Sequence, residues 1–463
     1  MGHKAERAAR SLRGIAASSA VLAMLSGCAA DAVKGLHFPF AAGWQRNKAA
    51  APVLLSDDAW WQRLNDQVLN SLVARALQGN LTIAAAKERI AAADAELRSL
   101  PGAFDISASA SGSLSDRHGS GTPTASSGSF GLSWLLDPWG GRRAQAQSAS
   151  ARLAAARAER DAAQLLVLSK LSNSYLELRL RQALYQQSLR ELDSRNQMLV
   201  VTRSLKDASS ATRVDLTRSE ARVAEIEADL PGQKAQITAR KNEIAVLAGL
   251  VPQQLGIDLG PAGQPRPHLS ANMGIPADLL RNRPDIGIAE QRYYEALALV
   301  DVTQAAQYPS LSLTGSINLS HVRQGGSVAQ YLLSPQLAFP RASKAAVEAR
   351  GAEARAAYIS WTQTVTGAIA EVETALADYA SVSSAQGAAE RSVRLYKETR
   401  DLTNEVFRAG SATLSDVIDA DTDVSRAERA LAEARFQQAQ AFVALNVALG
   451  AGSSFGVQGA PGN

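Results

Sequence analysis

Hydrophobic positions recur along this chain with two periods, kept in separate stretches. Leu168, Leu171, Tyr175, Leu178, Gln182, Tyr185, Leu189, Leu192, Asn196 and Leu199 alternate steps of three and four, the seam of a helix packed lengthwise against another. Val417, Ala420, Val424, Ala427, Leu431, Ala434, Gln438, Ala441, Leu445 and Ala448 obey the same rule with alanine at every other position, so their neighbours can approach closely. A helix from about Gly141 to Lys206 would run roughly 100 Å, far longer than a globular helix. Elsewhere the period is two. Between Asp105 and Ser115 an apolar side carries Ile106, Ala108, Ala110 and Leu114, while Asp105, Ser107, Ser109, Ser111, Ser113 and Ser115 fall on the other; Leu311 to Ser320 repeats the pattern. Ser129 to Asp137 and Gln330 to Phe339 supply partners with large apolar residues on one side. These are two-faced strands of about ten residues, the length a tilted strand needs to cross a bilayer. Read from the residues alone, a pair of soluble hairpins with one buried face fits the same alternation.

The chain is also written twice. Ala208 to Leu216 aligns with Ala409 to Val417 at an offset of 201, and Leu247-Ala248-Gly249 meets Ala448-Leu449-Gly450 at the same offset. A period this long governs architecture. It predicts two helical hairpins, each with a tight turn near its middle and a glycine stop near its end. Pro101, Pro138, Pro309 and Pro340 stand at the four changes from helix to strand or back, because proline neither continues a helix nor donates to a sheet ladder.

Composition narrows the class. Aromatic residues make up only 5% and alanine is the commonest residue, which suits long, closely packed helices. The formal charge is +4, but three of those net charges lie in residues 1–27, in Lys4, Arg7, Arg10 and Arg13 against Glu6. The remainder is nearly neutral, so nothing supports a nucleic-acid partner. The same N-terminus has a basic stretch followed by an apolar one too short to span a bilayer permanently, ending in Leu25-Ser26-Gly27-Cys28. This resembles the bacterial lipobox and makes Cys28 the expected lipidation site, with a covalent lipid as the only attached group. Ala29 follows it, the pattern that in enterobacterial lipoproteins goes with release to the outer membrane. Cys28 is the only cysteine, which leaves no internal disulfide and no thiolate metal cluster. Five scattered histidines, His118 and His321 among them, give no metal spacing. Gly140-Gly141 lacks the flanks of a phosphate loop, and no catalytic constellation appears, so an enzyme is not expected.

No later apolar stretch is long enough for a membrane-spanning helix, so any crossing must be by strands. Four strands leave two open edges, and unpaired backbone groups in hydrocarbon each cost several kcal/mol. Further copies must complete the sheet; two, three or four satisfy that physics equally.

Several motifs together resemble the outer-membrane efflux proteins of the TolC type, in their lipidated NodT/OprM-like branch. They are Trp60-Trp61 through Asp66, Ile275 through the Arg283-Pro284-Asp285 run, Tyr308-Pro309 into the following strand, and Phe407-Arg408-Ala409-Gly410 through Asp416 and Asp419 to Ala420. The resemblance covers nearly all of the chain after Cys28. It implies a mostly α fold with a membrane β-barrel portion: a homotrimer whose twelve-stranded barrel in the outer membrane continues into a periplasmic α-barrel. The expected layout is a lipoprotein signal peptide over 1–27 and a lipid-anchored segment over 28–60. The first repeat spans 61–250, with its β-hairpin about 104–138 and helical tip about 206–213. An equatorial linker fills 251–275. The second repeat spans 276–450, with its hairpin about 309–340 and tip about 407–414, before a tail over 451–463.

The function so implied is passive, gated export of small molecules, drugs or other toxic compounds, in partnership with outer-membrane lipid, a periplasmic adaptor and an inner-membrane pump of the RND type. Asp416 and Asp419, three apart on one helical face, would form acidic rings around a threefold axis and favour cations at the entrance; Asp215 would belong to links between tip helices. The same carboxylates also read as an acidic cluster at a solvated helix start. Ala412 stands where some members place an arginine that holds the tip closed. Ala208, Ser209 and Ser210, with Phe407, Ala409, Gly410 and Ser411, would meet the adaptor. Gly410 suits a left-handed turn, and Ser209 does so less readily. Alternatives are the outer-membrane component of a type I secretion system, or a non-channel periplasmic coiled-coil lipoprotein.

Overall fold

A computed structural model of the protein describes residues 59–100, 105–115, 125–209, 211–267, 282–322, 326–339 and 342–452. Cys28, Pro101, Ser210 and Pro340, the segments 1–27, 28–58 and 268–281, and most of the tail lie outside the described residues.

A short 3-10 helix, Trp60–Leu64, leads into α1 (Gln67–Gly79) and α2 (Leu81–Ser99). Each starts where a side chain satisfies orphan amides: Asp66 accepts from Leu69 N at 3.0 Å, and Asn80 accepts from Thr82 N at 2.8 Å and Ile83 N at 3.2 Å. Strands β1 (Asp105–Ser115) and β2 (Ala125–Leu136) follow, then α3 (Gly141–Asp207) and α4 (Arg213–Leu247). The second half repeats the plan with α5 (Pro284–Ala305), β3 (Ser310–Val322), β4 (Gly326–Ala338), α6 (Lys344–Arg408) and α7 (Leu414–Ala448). At 67 residues, α3 is about 100 Å long. None of the described helices is long and apolar enough to cross a membrane.

The strands form one antiparallel sheet in the order β1-β2-β3-β4. Its register aligns the alternations of all four. Phe130, Leu132, Trp134 and Leu136 pair with Ile317, Gly315, Leu313 and Leu311, which pair in turn with Tyr331, Leu333, Pro335 and Leu337. Between these apolar rows run polar ones, such as Ser107–Ser133–Thr314–Ser334 and Ser111–Ser129–Asn318–Gln330. A slip of one residue would put both kinds of side chain on each face. β2 and β4 each begin four residues before the alternation does, at Ala125 rather than Ser129 and at Gly326 rather than Gln330. Those leading residues are mostly small, and small residues pair as well as large ones without marking a face. The apolar face is bare in one chain, with Tyr331 78% and Leu333 69% exposed.

The helices pack in the order α4-α3-α7-α6, so α4 and α6 are the open edges. Where the two halves meet, Trp60, Leu168, Leu171, Tyr175, Phe442 and Leu445 are buried together, and Trp60 meets Phe442 edge-on with ring centres 6.1 Å apart. The glycine stops serve one purpose in both repeats. The end of α4 is received by Asn80 at the start of α2, whose Nδ2 donates to Leu247 O at 2.8 Å. The end of α7 is received by Arg283 at the start of α5, which donates to Ala448 O. Burial lowers the pKa of this guanidinium, and the hydrogen bonds and charges of Asp285 and Glu371 more than reverse that.

The apolar seam expected on α3 is buried as far as Gln182 and again at Leu199, with Tyr185, Leu189 and Leu192 half-buried between them. Asn196 is exposed, and the polar Gln187, Ser188 and Arg195 are buried instead. Below Gln182 the helix sits between two neighbours, α4 and α7, and its buried polar side chains bond to both: Gln187 and Arg195 to α7, Ser188 to α4.

Candidate functional site: the helical tips and the sheet

At the first tip α3 ends through Ala208 and Ser209, and Ser209 takes the left-handed conformation with φ 58°. Its counterpart Gly410 has φ 77°. Gly410 N donates to Phe407 O at 2.9 Å and Ser411 N to Val406 O at 3.1 Å, the paired bonds of a helix that stops in a left-handed residue. The two turns have one geometry although the first lacks glycine, so Ser209 carries the steric cost that Gly410 avoids. Ala208, Ser209, Ala409, Gly410 and Ser411 are all exposed, and Phe407 is 39% exposed.

The next helix starts identically in both repeats. Thr413 Oγ1 accepts from Asp416 N at 3.3 Å, while Asp416 Oδ2 accepts from Thr413 N at 2.7 Å and from its hydroxyl at 2.7 Å. Thr212 and Asp215 make the same box, with 3.2, 2.9 and 2.6 Å. The threonine hydroxyl and amide hold both carboxyls below the ordinary aspartate range, and Arg218 adds to the effect on Asp215. Asp416 is thus both a charged group at the tip and the N3 half of the capping box that starts its own helix. Asp419, one turn on, is exposed as well.

Between the tips lies a cavity of about 330 Å³ whose walls include Arg195, Thr202, Asp215, Arg218, Thr413 and Ile418. It brings Asp215 of the first repeat beside the start of α7 in the second. Behind it, α3 and α7 are joined by polar bonds that the sequence reading missed. Ser194 donates to Asp421 at 2.9 Å, Arg195 to Thr422 at 2.8 Å and Arg429 to Glu191 at 2.6 Å. Such pairs stand more than two hundred residues apart, and no local period signals them.

At the opposite end, Pro138 and Pro309 lie where helices give way to the sheet. Trp139 stacks on Tyr308 with ring centres 4.6 Å apart and donates to Pro309 O at 2.8 Å. Asp137 accepts from the first amides of α3, Arg142 N at 3.0 Å and Arg143 N at 3.3 Å, so the turn after β2 is also the cap of the long helix.

Over residues 72–250 and 275–451 the chain matches the family described as "Outer membrane efflux protein". It is 35% identical over 407 residues to Nodulation protein T of Rhizobium leguminosarum bv. viciae, with 85% of this chain and 84% of that one covered. It is 28% identical over 417 residues to the pyoverdine export outer membrane protein OpmQ of Pseudomonas aeruginosa, covering 85% of this chain and 87% of that one. Among solved structures, the outer-membrane channel OprN superposes with a TM-score of 0.77 at 26% identity, over 88% of this chain and 97% of that one. The outer membrane protein VceC of Vibrio cholerae gives 0.72 at 25% identity, over 86% and 99%.

Proposed function

The chain belongs to the outer membrane efflux protein family, and on that premise we propose that it is the outer-membrane channel of a tripartite exporter. It conducts small molecules passively from an inner-membrane pump of the RND type and a periplasmic adaptor to the exterior. The observation that carries this reading is the sheet: four paired strands with one apolar and one hydroxyl-rich face, open at both edges, joined to two long helical hairpins. An apolar outer face suits lipid, and a small, polar inner face leaves room for water.

The open edges call for further copies, and the family resemblance makes the proposed number three. α4 carries a second run of small residues at three- and four-residue steps, Val214, Thr217, Ala221, Ala224 and Ala228, all exposed. α6 carries another, from Ala356, Ile359, Thr366, Ala370, Ala377 and Ala380 to Leu395, Leu402 and Val406, also exposed. Each run matches the spacing of a helix packed against a further helix. β1 and β4 are open as well, so further copies are needed by sheet and helices alike. Three copies close twelve strands, intermediate between side-chain-filled and porin-sized barrels. Lipidation of Cys28 anchors the protein to the outer membrane, and the exposed tip turns meet the adaptor.

Asp416 and Asp419 supply the charge at the entrance, with Asp215 in the links between tips. Alanine at position 416 would remove half of the capping box together with the charge, so asparagine, which keeps a hydrogen-bond acceptor, is the cleaner substitution. Asp416→Asn with Asp419→Asn should raise single-channel conductance and reduce cation preference in planar bilayers. Unchanged conductance and selectivity would remove both residues from the constriction, and absence of any channel from the unsubstituted trimer would sink the transport reading.

A further inference from the structure

Inside α4 stand Pro231 and, next to it, Gly232, the two residue types least favourable within a helix. Proline lacks the amide hydrogen that would bond to Glu227 O, and its ring crowds that carbonyl. The helix runs on past this point, so the ladder is weakened at one place and not ended there. At the offset of 201 the second repeat has Ala432 and Glu433, both good helix formers. The weak point is therefore a property of α4 that its counterpart α7 lacks.

Packing within the chain calls for neither residue. A Cβ on Gly232 would meet nothing within 4 Å, and Pro231 is exposed. Gly232 borders a cavity of about 350 Å³, with Ser188 of α3 and Arg429 of α7 in its other walls, so a bend at this level has open space beside it.

Below the weak point, residues 213–230 are held loosely by their own chain. Val223 is the one buried residue among them. Glu220 pairs with Arg203 of α3 at 3.2 Å, but both side chains are exposed, and exposed pairs hold little. The 330 Å³ cavity between the tips lies between this arm and the start of α7. The matching stretch of α7, residues 414–431, buries Ala420, Val424, Ala427 and Leu431 and bonds to α3 through Asp421, Thr422 and Arg429. One tip is latched; the other hangs below a weakened turn. A further copy packed on the seam of α4 would meet Thr217, Ala221, Ala224 and Ala228, small side chains that each bury little area.

We propose that Pro231 and Gly232 form a hinge, about which residues 213–230 bend as one arm and carry the first tip, with Asp215, as the mouth of the tube changes width. Its use at the mouth rests on the channel reading above. The bending itself does not.

Hydrogen exchange on the purified full-length assembly reads the bending directly. Amides of residues 213–230 should exchange at least about tenfold faster than those of 414–431. Pro231→Ala with Gly232→Ala should slow the arm about tenfold and leave 414–431 unchanged. Gly232→Ala alone, which keeps the proline, should fall between. In planar bilayers the double variant should open about tenfold less often at unchanged single-channel conductance. Equal exchange in the two stretches, or an arm indifferent to the double substitution, overturns the hinge whether or not the protein conducts. Slowed exchange with unaltered opening overturns its role at the mouth. Absence of any channel from the unsubstituted protein would count against the channel reading and leave the exchange result to decide the hinge.

Discussion

At the scale of single residues, the positions that matter most do two things at once. Gly249 ends α4 with φ +76°, and a Cβ there would stand 2.0 Å from the carbonyl oxygen of Gly79. It is both a left-handed stop and the point where the end of the hairpin touches the start of α2. Gly249→Ala should therefore destabilise by more than about 2 kcal/mol, read as a lowered thermal midpoint of the purified protein. Gly232, inside α4 with nothing within 4 Å of a built Cβ, is the control; Gly232→Ala should stabilise by about 0.5 kcal/mol or more. The glycine stops were legible because an offset of 201 aligned them. The contact with Gly79 was not, since nothing near Gly79 announces a neighbour 170 positions away. Asp416 makes the same point: its spacing from Asp419 was readable, and so was a helix start, but only the box with Thr413 shows that one carboxylate serves both.

At the scale of elements, period two and period three-to-four identified strands and helices, and the places where these readings slipped share a cause. Strand starts at Ala125 and Gly326 were missed because small residues carry no contrast. The lower seam of α3 is joined by buried polar residues the periodicity did not mark, because a helix with two neighbours buries polar side chains that find partners across the gap. The sheet's two faces yield a directional test. Leu333 stands in an apolar row and Ser334 beside it in a polar one. Leu333→Arg should cost about 2–4 kcal/mol if it lies near the bilayer midplane and reduce the yield of trimer in the outer membrane. Ser334→Arg should assemble normally and change conductance instead. The opposite ranking would mean that the faces are reversed.

At the scale of the whole molecule, one chain is an open strip. β1 and β4 bound the sheet, α4 and α6 bound the helices, and each helical edge repeats a packing seam with nothing yet against it. Leu395 and Leu402 are 63% and 56% exposed on α6, spaced one heptad apart. Leu395→Glu with Leu402→Glu should dissociate the purified assembly toward monomers, seen as a threefold loss of mass by light scattering. A trimer that survives both charges would exclude this edge from the interface.

The sequence by itself determined the kinds of element, their lengths, the duplication and the need for further copies, because periodicity, proline placement and turn chemistry act within a few residues of one another. Tertiary structure decided the rest: the polar bonds between α3 and α7, the Arg283 and Asn80 clamps that receive each helix end, and the register that aligns four strands into two unlike faces. Each of these joins side chains separated by tens to hundreds of positions. Their energies depend on distance and burial in space, quantities that no local pattern along the chain encodes.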